Sequence, residues 1–226
     1  MHLYILQPGN FELPISNMHT SNSQPNPLLP STRRLEALSD CVYSIAMTLL
    51  VLNVKLPDIP AAKVADILPA VILGLSSRLH DYLVSFLVLG SLWLISHQQF
   101  HYIRNVNRTL LWINLIILMF ITLIPFSASL VADYGEQQIS VLFFDGHLLL
   151  LNLLFLLNRY YAINRKFIEP GINPLWRKRI GNKESLLNFA LIAWSILWSF
   201  FSPRWSQLPF LLLPFTPILA KKLVKM

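Results

Sequence analysis

Residues 34–54 read RLEALSDCVYSIAMTLLVLNV, and this stretch is the starting point for interpreting the rest of the chain. It begins with charged residues and then runs from Cys41 to Leu52 without a formal charge. With the apolar residues before it, the stretch approaches the length of about 20 residues that a helix needs to cross a bilayer. Ionisable side chains at membrane depth are costly unless they face a partner or water. We therefore expect Arg34, Glu36 and Asp40 to have partners.

The composition indicates an integral membrane protein. Of the 226 residues, 54% are hydrophobic and only 13% are charged, and the mean hydropathy is +0.53. Soluble domains carry about 25% charged residues. The long continuous apolar blocks favour helices, since the strands of a membrane barrel would alternate apolar and polar residues. The net charge of +7 comes from basic residues that flank these blocks, so it does not indicate nucleic-acid binding.

Six transmembrane helices are predicted from the apolar blocks. They lie at about residues 34–55, 65–102, 110–132, 139–161, 186–201 and 208–219. Prolines at 57 and 60 are expected to end the first span, and Pro125 is expected to kink the third. A basic loop is expected over residues 164–183. Residues 1–32, rich in Pro, Asn and Ser, are expected to form a flexible tail, and residues 33–226 the membrane domain.

The distribution of basic residues predicts the orientation of the spans. Both termini, the loop between spans two and three and the loop between spans four and five fall on one side of the membrane. That side holds fourteen lysines and arginines, and the opposite side holds three. Because an excess of Lys and Arg marks the cytoplasmic side, we expect both termini to be cytoplasmic.

The first span has two distinct faces when its residues are placed at 100° intervals. Three residues form an apolar stripe: Ile45, Leu49 and Leu52. A polar edge lies beside it: Asp40, Ser44 and Thr48. Ordinary packing against lipid or other spans would give the same stripe, and the hydroxyls of Ser44 and Thr48 are able to bond carbonyls of their own helix. The wheel alone leaves both packing and a functional face open.

Several different short motifs lie along the first three spans. Arg34-x-x-x-Leu38-Ser39-Asp40 is followed by residues 42–52, VYSIAMTLLVL. The second and third spans carry four more motifs: Tyr82-x-x-Ser85-Phe86, Trp93-x-x-x-His97, Trp112-x-Asn114 and Pro125-Phe126. Together they resemble the lysosomal and bacterial potassium-channel family, which lacks the TVGYG filter and has the signature RxxxFSD. Leu38 stands where the signature has Phe. The resemblance covers roughly residues 33–160.

The resemblance implies an all-α membrane protein that forms a homotetramer around a pore lined by the first helix. The constriction of such channels lies five, nine and twelve residues after the signature Asp, which here gives Ile45, Leu49 and Leu52. The wheel places the same three residues on one face. Thr48, beside them, is a candidate selectivity residue. A structural and gating network is also implied, formed by Arg34, Ser39, Asp40, Trp93 and His97.

The function that the resemblance implies is potassium-selective conduction, with proton conduction also allowed. The expected partners are other copies of the chain, membrane lipids and permeant potassium ions, with no cofactor. A single repeat suggests a bacterial plasma membrane. A secondary transporter is the alternative, favoured by the long second span and the proline-rich sixth, although no internal repeat is evident. A non-conducting membrane scaffold is a third hypothesis.

Other polar groups suggest weaker hypotheses. His97 and His101 have the spacing of zinc ligands on a helix, but no third ligand is evident, so no metal site is predicted. Asp145 and His147 are either a proton-relay pair or an interfacial cap, of which the cap is favoured. The basic residues from Arg177 to Lys183 are expected to set the topology and are candidates for contact with anionic lipid. No motif for nucleophilic catalysis or phosphate binding is present, so an enzyme is not expected.

Overall fold

The computed structural model describes residues 32–56, 64–169, 171 and 173–225. Apart from Thr32, the expected N-terminal tail lies outside the described residues, as do the prolines at 57 and 60. The α-helices in chain order are α1 (Thr32–Leu49), α2 (Val64–Gly74), α3 (Ser76–Tyr102), α4 (Arg108–Thr122), α5 (Ile124–Tyr134), α6 (Gln138–Asn164), α7 (Pro174–Ser199) and α8 (Thr216–Lys225). Short 3-10 segments are Leu50–Asn53, Pro203–Trp205 and Leu208–Phe215.

Five segments of the described chain are long and apolar enough to cross a membrane. They are Thr32–Asn53, Ile67–Tyr102, Arg108–Tyr134, Gln138–Asn164 and Pro203–Val224. These match the first four predicted spans and the sixth. The sixth is wound largely as a 3-10 helix, in a stretch where prolines at 209 and 214 lack the N–H that an α-helix would use. The expected all-helical membrane fold is confirmed.

The fifth predicted span lies in α7, but this helix begins earlier than expected. Asn173 caps it, since its Oδ1 accepts hydrogen bonds from the backbone N–H groups of Leu175 at 3.0 Å and Trp176 at 3.2 Å. Pro174 follows in the first turn, where its missing N–H costs nothing. The prediction of a loop reaching Lys183 is therefore wrong in its second half. Five of the first eleven residues of α7 are ionisable, and α7 is not among the five apolar segments.

Two of the long spans are interrupted in the middle. The third span breaks at Leu123, between α4 and α5, and Pro125 occupies the first turn of α5. The interruption lies next to Pro125, the residue at which the sequence predicts a kink. The second span breaks at Leu75, between α2 and α3.

Backbone contacts show which ends of the helices lie together. The N–H of Arg104 donates to the carbonyl of Phe167 at 2.8 Å, and the N–H of Glu169 donates to the carbonyl of Tyr102 at 3.0 Å. The hydroxyl of Thr32 donates to the carbonyl of Arg104 at 3.1 Å. The start of α1 and the loops after α3 and α6 therefore meet at one end of the bundle, which we call the basic end.

Buried amides connect three helices near the basic end. Asn114 of α4 donates from Nδ2 to Oδ1 of Asn158 at 3.0 Å. Asn158 of α6 donates to Oε1 of Gln99 at 2.7 Å, and Gln99 of α3 donates to the carbonyl of Phe155 at 3.1 Å. Polar side chains that bond across helices in this way are a common source of association in apolar surroundings.

Asp145 and His147 do not form an interfacial cap. Helix α6 begins at Gln138, so both residues lie two or more turns inside it, and both are buried. His147 contacts the hydroxyl of Ser127 through Nδ1 and the carbonyl of Phe120 through Nε2, each at 3.0 Å. The predicted span began at residue 139, close to the observed start of α6, but hydropathy alone does not indicate which residues of other helices a polar side chain contacts.

Candidate pore-lining helix

One face of α1 is packed into the bundle. The buried residues recur at helical spacing: Leu35, Ser39, Tyr43, Ala46 and, in the following 3-10 turn, Leu50. The hydroxyl of Tyr43 donates to the carbonyl of Leu92 in α3 at 3.2 Å. Helix α1 packs against α3, α4 and α5. The rest of the bundle therefore fixes the rotation of α1 about its own axis.

A polar group holds the first half of α1 to α3. The indole Nε1 of Trp93 donates to Oδ1 of Asp40 at 2.8 Å. The Trp93 ring stacks on His97 with centroids 5.5 Å apart and planes 23° apart. His97 in turn approaches Glu36, with Nδ1 and Oε1 separated by 3.4 Å. The structure thus brings together Asp40, Trp93 and His97 and adds Glu36 to them.

The other two residues of the expected network behave differently. Ser39 is buried, but its hydroxyl donates to the carbonyl of Leu35 in its own helix at 2.9 Å. Arg34 is exposed and lies about 120° around α1 from Asp40, so it is outside the group that the described residues form.

A second polar group, which the sequence did not reveal, holds the far end of α1. Asn53 donates from Nδ2 to the carbonyl of Pro125 at 3.3 Å. Arg78 donates to the carbonyl of Asn53 at 3.3 Å and to Oδ1 of Asp133 at 3.1 Å. Lys55 lies 3.4 Å from the other oxygen of Asp133. These contacts join residues that are far apart in sequence, so no local motif predicts them.

The opposite face of α1 has no partner within the described residues. The exposed fractions of Ile45, Leu49 and Leu52 are 60%, 42% and 65%. Leu52 lies in the 3-10 segment, where residues three apart are eclipsed. Leu52 therefore stands directly beyond Leu49 rather than 60° to one side, as a continuous α-helix would place it. Ile45, Leu49 and Leu52 therefore form an exposed column of branched apolar side chains, which we call the column.

Hydroxyl groups border this column. Ser44 donates to the carbonyl of Asp40 at 2.7 Å, and Thr48 donates to the carbonyl of Ile45 at 2.8 Å. Both side chains are exposed. Because each hydroxyl hydrogen is used inside the helix, the oxygen lone pairs remain directed outward as acceptors. This polarity suits contact with water or a cation.

Removing the indole donor of Trp93 tests how strongly its hydrogen bond to Asp40 holds α1 to α3. We expect Trp93→Phe to lower the free energy of unfolding by about 1.5 kcal/mol, because a hydrogen bond to a charged group is lost while an aromatic ring remains to stack on His97. Unfolding by sodium dodecyl sulfate in mixed micelles gives the measurement. Trp112→Phe is the control, since Trp112 is 65% exposed. Equal losses in the two variants would contradict the assigned bond.

These features define a class of protein: a helical membrane protein whose first helix is anchored along one face and carries a bare apolar column on the other. Residues 34–125 match the sequence pattern of the family described as endosomal/lysosomal potassium channel TMEM175. The family resemblance of the sequence is confirmed over these residues, which include α1, α3 and α4.

Individual relatives show the same similarity. The chain is 38% identical over 108 residues to a protein of Streptomyces collinus named as a potassium channel, covering 46% of this chain and 50% of the relative. It is 30% identical over 112 residues to the human endosomal/lysosomal proton channel TMEM175, covering 47% of this chain and 22% of that protein. The chain thus spans about half the length of the bacterial relatives it matches.

The fold is shared with a crystal structure of a lysosomal potassium-selective channel TMEM175 homolog from Chamaesiphon minutus. The TM-score is 0.69 at 24% identity, and the match covers 84% of this chain and 97% of that chain. At this identity the likeness concerns the fold. Because it covers 84% of the chain, it extends beyond residue 125, where the match to the family pattern ends.

Proposed function

We propose that the chain is one subunit of a homotetrameric, potassium-selective cation channel whose pore is lined by α1. The observation that carries the proposal is the anchored helix with its bare column of Ile45, Leu49 and Leu52. The names of the matched relatives, as potassium or proton channels, favour ion conduction over a carrier cycle or a purely structural role. Four copies of α1 around one axis would cover this column.

The column explains how such a pore would gate and select. Rings of branched apolar side chains make a narrow segment that wets poorly, and such a segment closes by losing its water. A cation must keep or replace part of its hydration to pass. Potassium holds its hydration less tightly than sodium, so it pays a smaller penalty. We propose that the outward oxygens of Thr48 contribute to this preference.

Proton permeability is a second candidate property, favoured by the vertebrate relatives that are named as proton channels. We further propose that the protein lies in a bacterial plasma membrane with both termini in the cytoplasm. The charge distribution supports this orientation, since Arg33, Arg104, Arg108, Arg165 and Lys166 all flank the basic end.

The single cysteine of the chain offers a direct test. Cys41 is exposed and lies one helical turn before Ile45 on the same side of α1. In liposomes holding the purified protein, we expect potassium flux to exceed sodium flux. A cationic methanethiosulfonate reagent should block that flux, because it places a bulky charge in the pore. Flux through Cys41→Ser should resist the reagent.

Two outcomes would contradict the proposal. If folded wild-type tetramers carry no ion current, the channel function fails and a carrier or scaffold role replaces it. If the protein conducts but labelled Cys41 has no effect on flux, although labelling is complete by mass, then this face of α1 does not line the pore.

A further inference from the structure

A cleft runs between α6 and α7, away from α1. Its volume is about 550 Å³. Its walls are mainly apolar, and its polar groups gather at one end. The apolar part includes Leu153, Leu157, Leu186 and Phe189, and the polar end includes Arg159 and Lys178. Leu153, Leu157 and Leu186 are exposed, so the cleft opens on the outer surface of the chain.

The polar end of the cleft lies at the basic end of the bundle. Helices α6 and α7 are antiparallel, and Ser185 accepts from Asn152 through its carbonyl at 3.2 Å and from Arg159 through its hydroxyl at 3.4 Å. From Leu153 to Ile163 the wall of the cleft rises about 15 Å. That is half of the roughly 30 Å hydrocarbon core, or the depth of one leaflet. The cleft therefore has the dimensions of a lipid acyl chain with a basic group at its head.

Buried charges at this end do not balance. Arg159, Arg177 and Glu184 are 7%, 5% and 2% exposed. Nη2 of Arg159 lies 3.9 Å from Oε2 of Glu184, whereas the guanidinium of Arg177 lies 3.7 Å from the ring centroid of Tyr102. Nη1 of Arg177 has no hydrogen-bond partner among the described residues. Two guanidinium groups thus share one carboxylate.

Lys178 adds a further positive charge at the mouth of the cleft. Its Nζ lies 5.5 Å from the ring centroid of Tyr160, which holds the side chain over α6. Gly181 lets α7 approach closely, because a Cβ at this position would collide with the Arg159 side chain. An uncompensated charge in apolar surroundings is costly, and an anion at the mouth would relieve that cost.

A second cleft of about 400 Å³ lies beside the first, between α7 and α8. It shares Asn182 and Leu186 with the first and is lined by Arg179, Lys183 and Leu223. The second cleft is lined by as many polar as apolar residues, so it adds basic side chains next to the first cleft rather than a second apolar groove. A molecule with an acyl chain and an anionic head matches the first cleft and its basic surroundings.

We propose that the cleft between α6 and α7 is a binding site for an anionic phospholipid. The phosphate binds between Arg159 and Lys178, and one acyl chain lies along the α6–α7 wall towards Leu153. Charge-assisted bonds to guanidinium and ammonium groups supply the preference for an anionic head, as in basic pockets between membrane helices generally. The site is separate from α1 and does not depend on the channel function proposed above.

The test uses the intact purified protein in detergent, with phosphatidylglycerol as the probe and native mass spectrometry as the readout. We expect Lys178→Gln to weaken phosphatidylglycerol binding about fivefold, the effect of one basic residue on an anionic lipid. Leu157→Trp keeps every charge and fills the cleft, so it should also reduce the bound fraction. Arg108→Gln is the control, because it removes the same charge at the basic end without lining the cleft.

The outcomes separate the possible occupants. Retention of phosphatidylglycerol over phosphatidylcholine, lost in Lys178→Gln and Leu157→Trp but kept in Arg108→Gln, supports the site. Equal retention of the two lipids would mean that the cleft is only an apolar surface. Equal loss in Arg108→Gln would mean that overall charge, not this cleft, attracts the lipid. Occupancy by soluble glycerol phosphate, unaffected by Leu157→Trp, would assign a free anion instead of a lipid.

Discussion

Replacing Ile45 by asparagine is expected to raise ion flux about tenfold or more and to reduce the preference for potassium over sodium. Ile45 is 60% exposed on the column that we propose lines the pore. Four amides in its place would offer hydrogen bonds to water and cations where the wild type offers none, each worth about 0.5–1.5 kcal/mol. A barrier lower by only about 1.4 kcal/mol speeds passage tenfold. Potassium and sodium fluxes into liposomes give both quantities.

The control for this variant is Leu197→Asn. Leu197 is 66% exposed, but it lies on α7, which is remote from α1. It introduces the same amide on an apolar surface, so it reports any effect of the substitution on folding or on the bilayer. If Ile45→Asn and Leu197→Asn both conduct like the wild type, the protein remains a channel but the column is not its constriction.

Much of this site was predictable because α1 is regular and apolar. Helical periodicity placed Ile45 and Leu49 on one face, and the structure leaves that face bare. Periodicity could not reveal the change to 3-10 winding after Leu49, which depends on how the end of the helix is held. The contact between Asp40 and Trp93 was expected, since an ionisable group at that depth needs a partner.

Other features could not be predicted because they depend on contacts between distant parts of the chain. Nothing around Asp133 indicates that it meets Arg78, 55 residues earlier. The start of α7 is a different case, since Asn173-Pro174 is a recognisable cap followed by a first-turn proline. That signal was outweighed by the basic residues after it, which resemble a loop when only hydropathy is considered. The basic residues of this stretch predict on which side of the membrane it lies, but they do not predict its secondary structure.

Replacing Glu184 by glutamine is expected to lower the free energy of unfolding by about 3 kcal/mol. Removing one partner of a buried ion pair leaves the other charge uncompensated, and such losses are large. Here the variant would leave Arg159 and Arg177 buried with no carboxylate between them. The cost falls on the α6–α7 interface, because Arg159 belongs to α6 and the other two residues to α7. Unfolding by sodium dodecyl sulfate in mixed micelles measures it.

Two further variants test whether burial and charge balance are the cause of this loss of stability. Glu136→Gln makes the same change in a side chain that is 73% exposed and 3.5 Å from Arg204, so it should cost less than about 1 kcal/mol. Arg177→Met should cost less than Glu184→Gln, because it leaves Arg159 and Glu184 as a balanced pair. If Arg177→Met proves the more damaging of the two, then stacking on Tyr102, rather than charge balance, stabilises this end of α7. The excess of buried positive charge would then no longer explain why the neighbouring cleft should attract an anion.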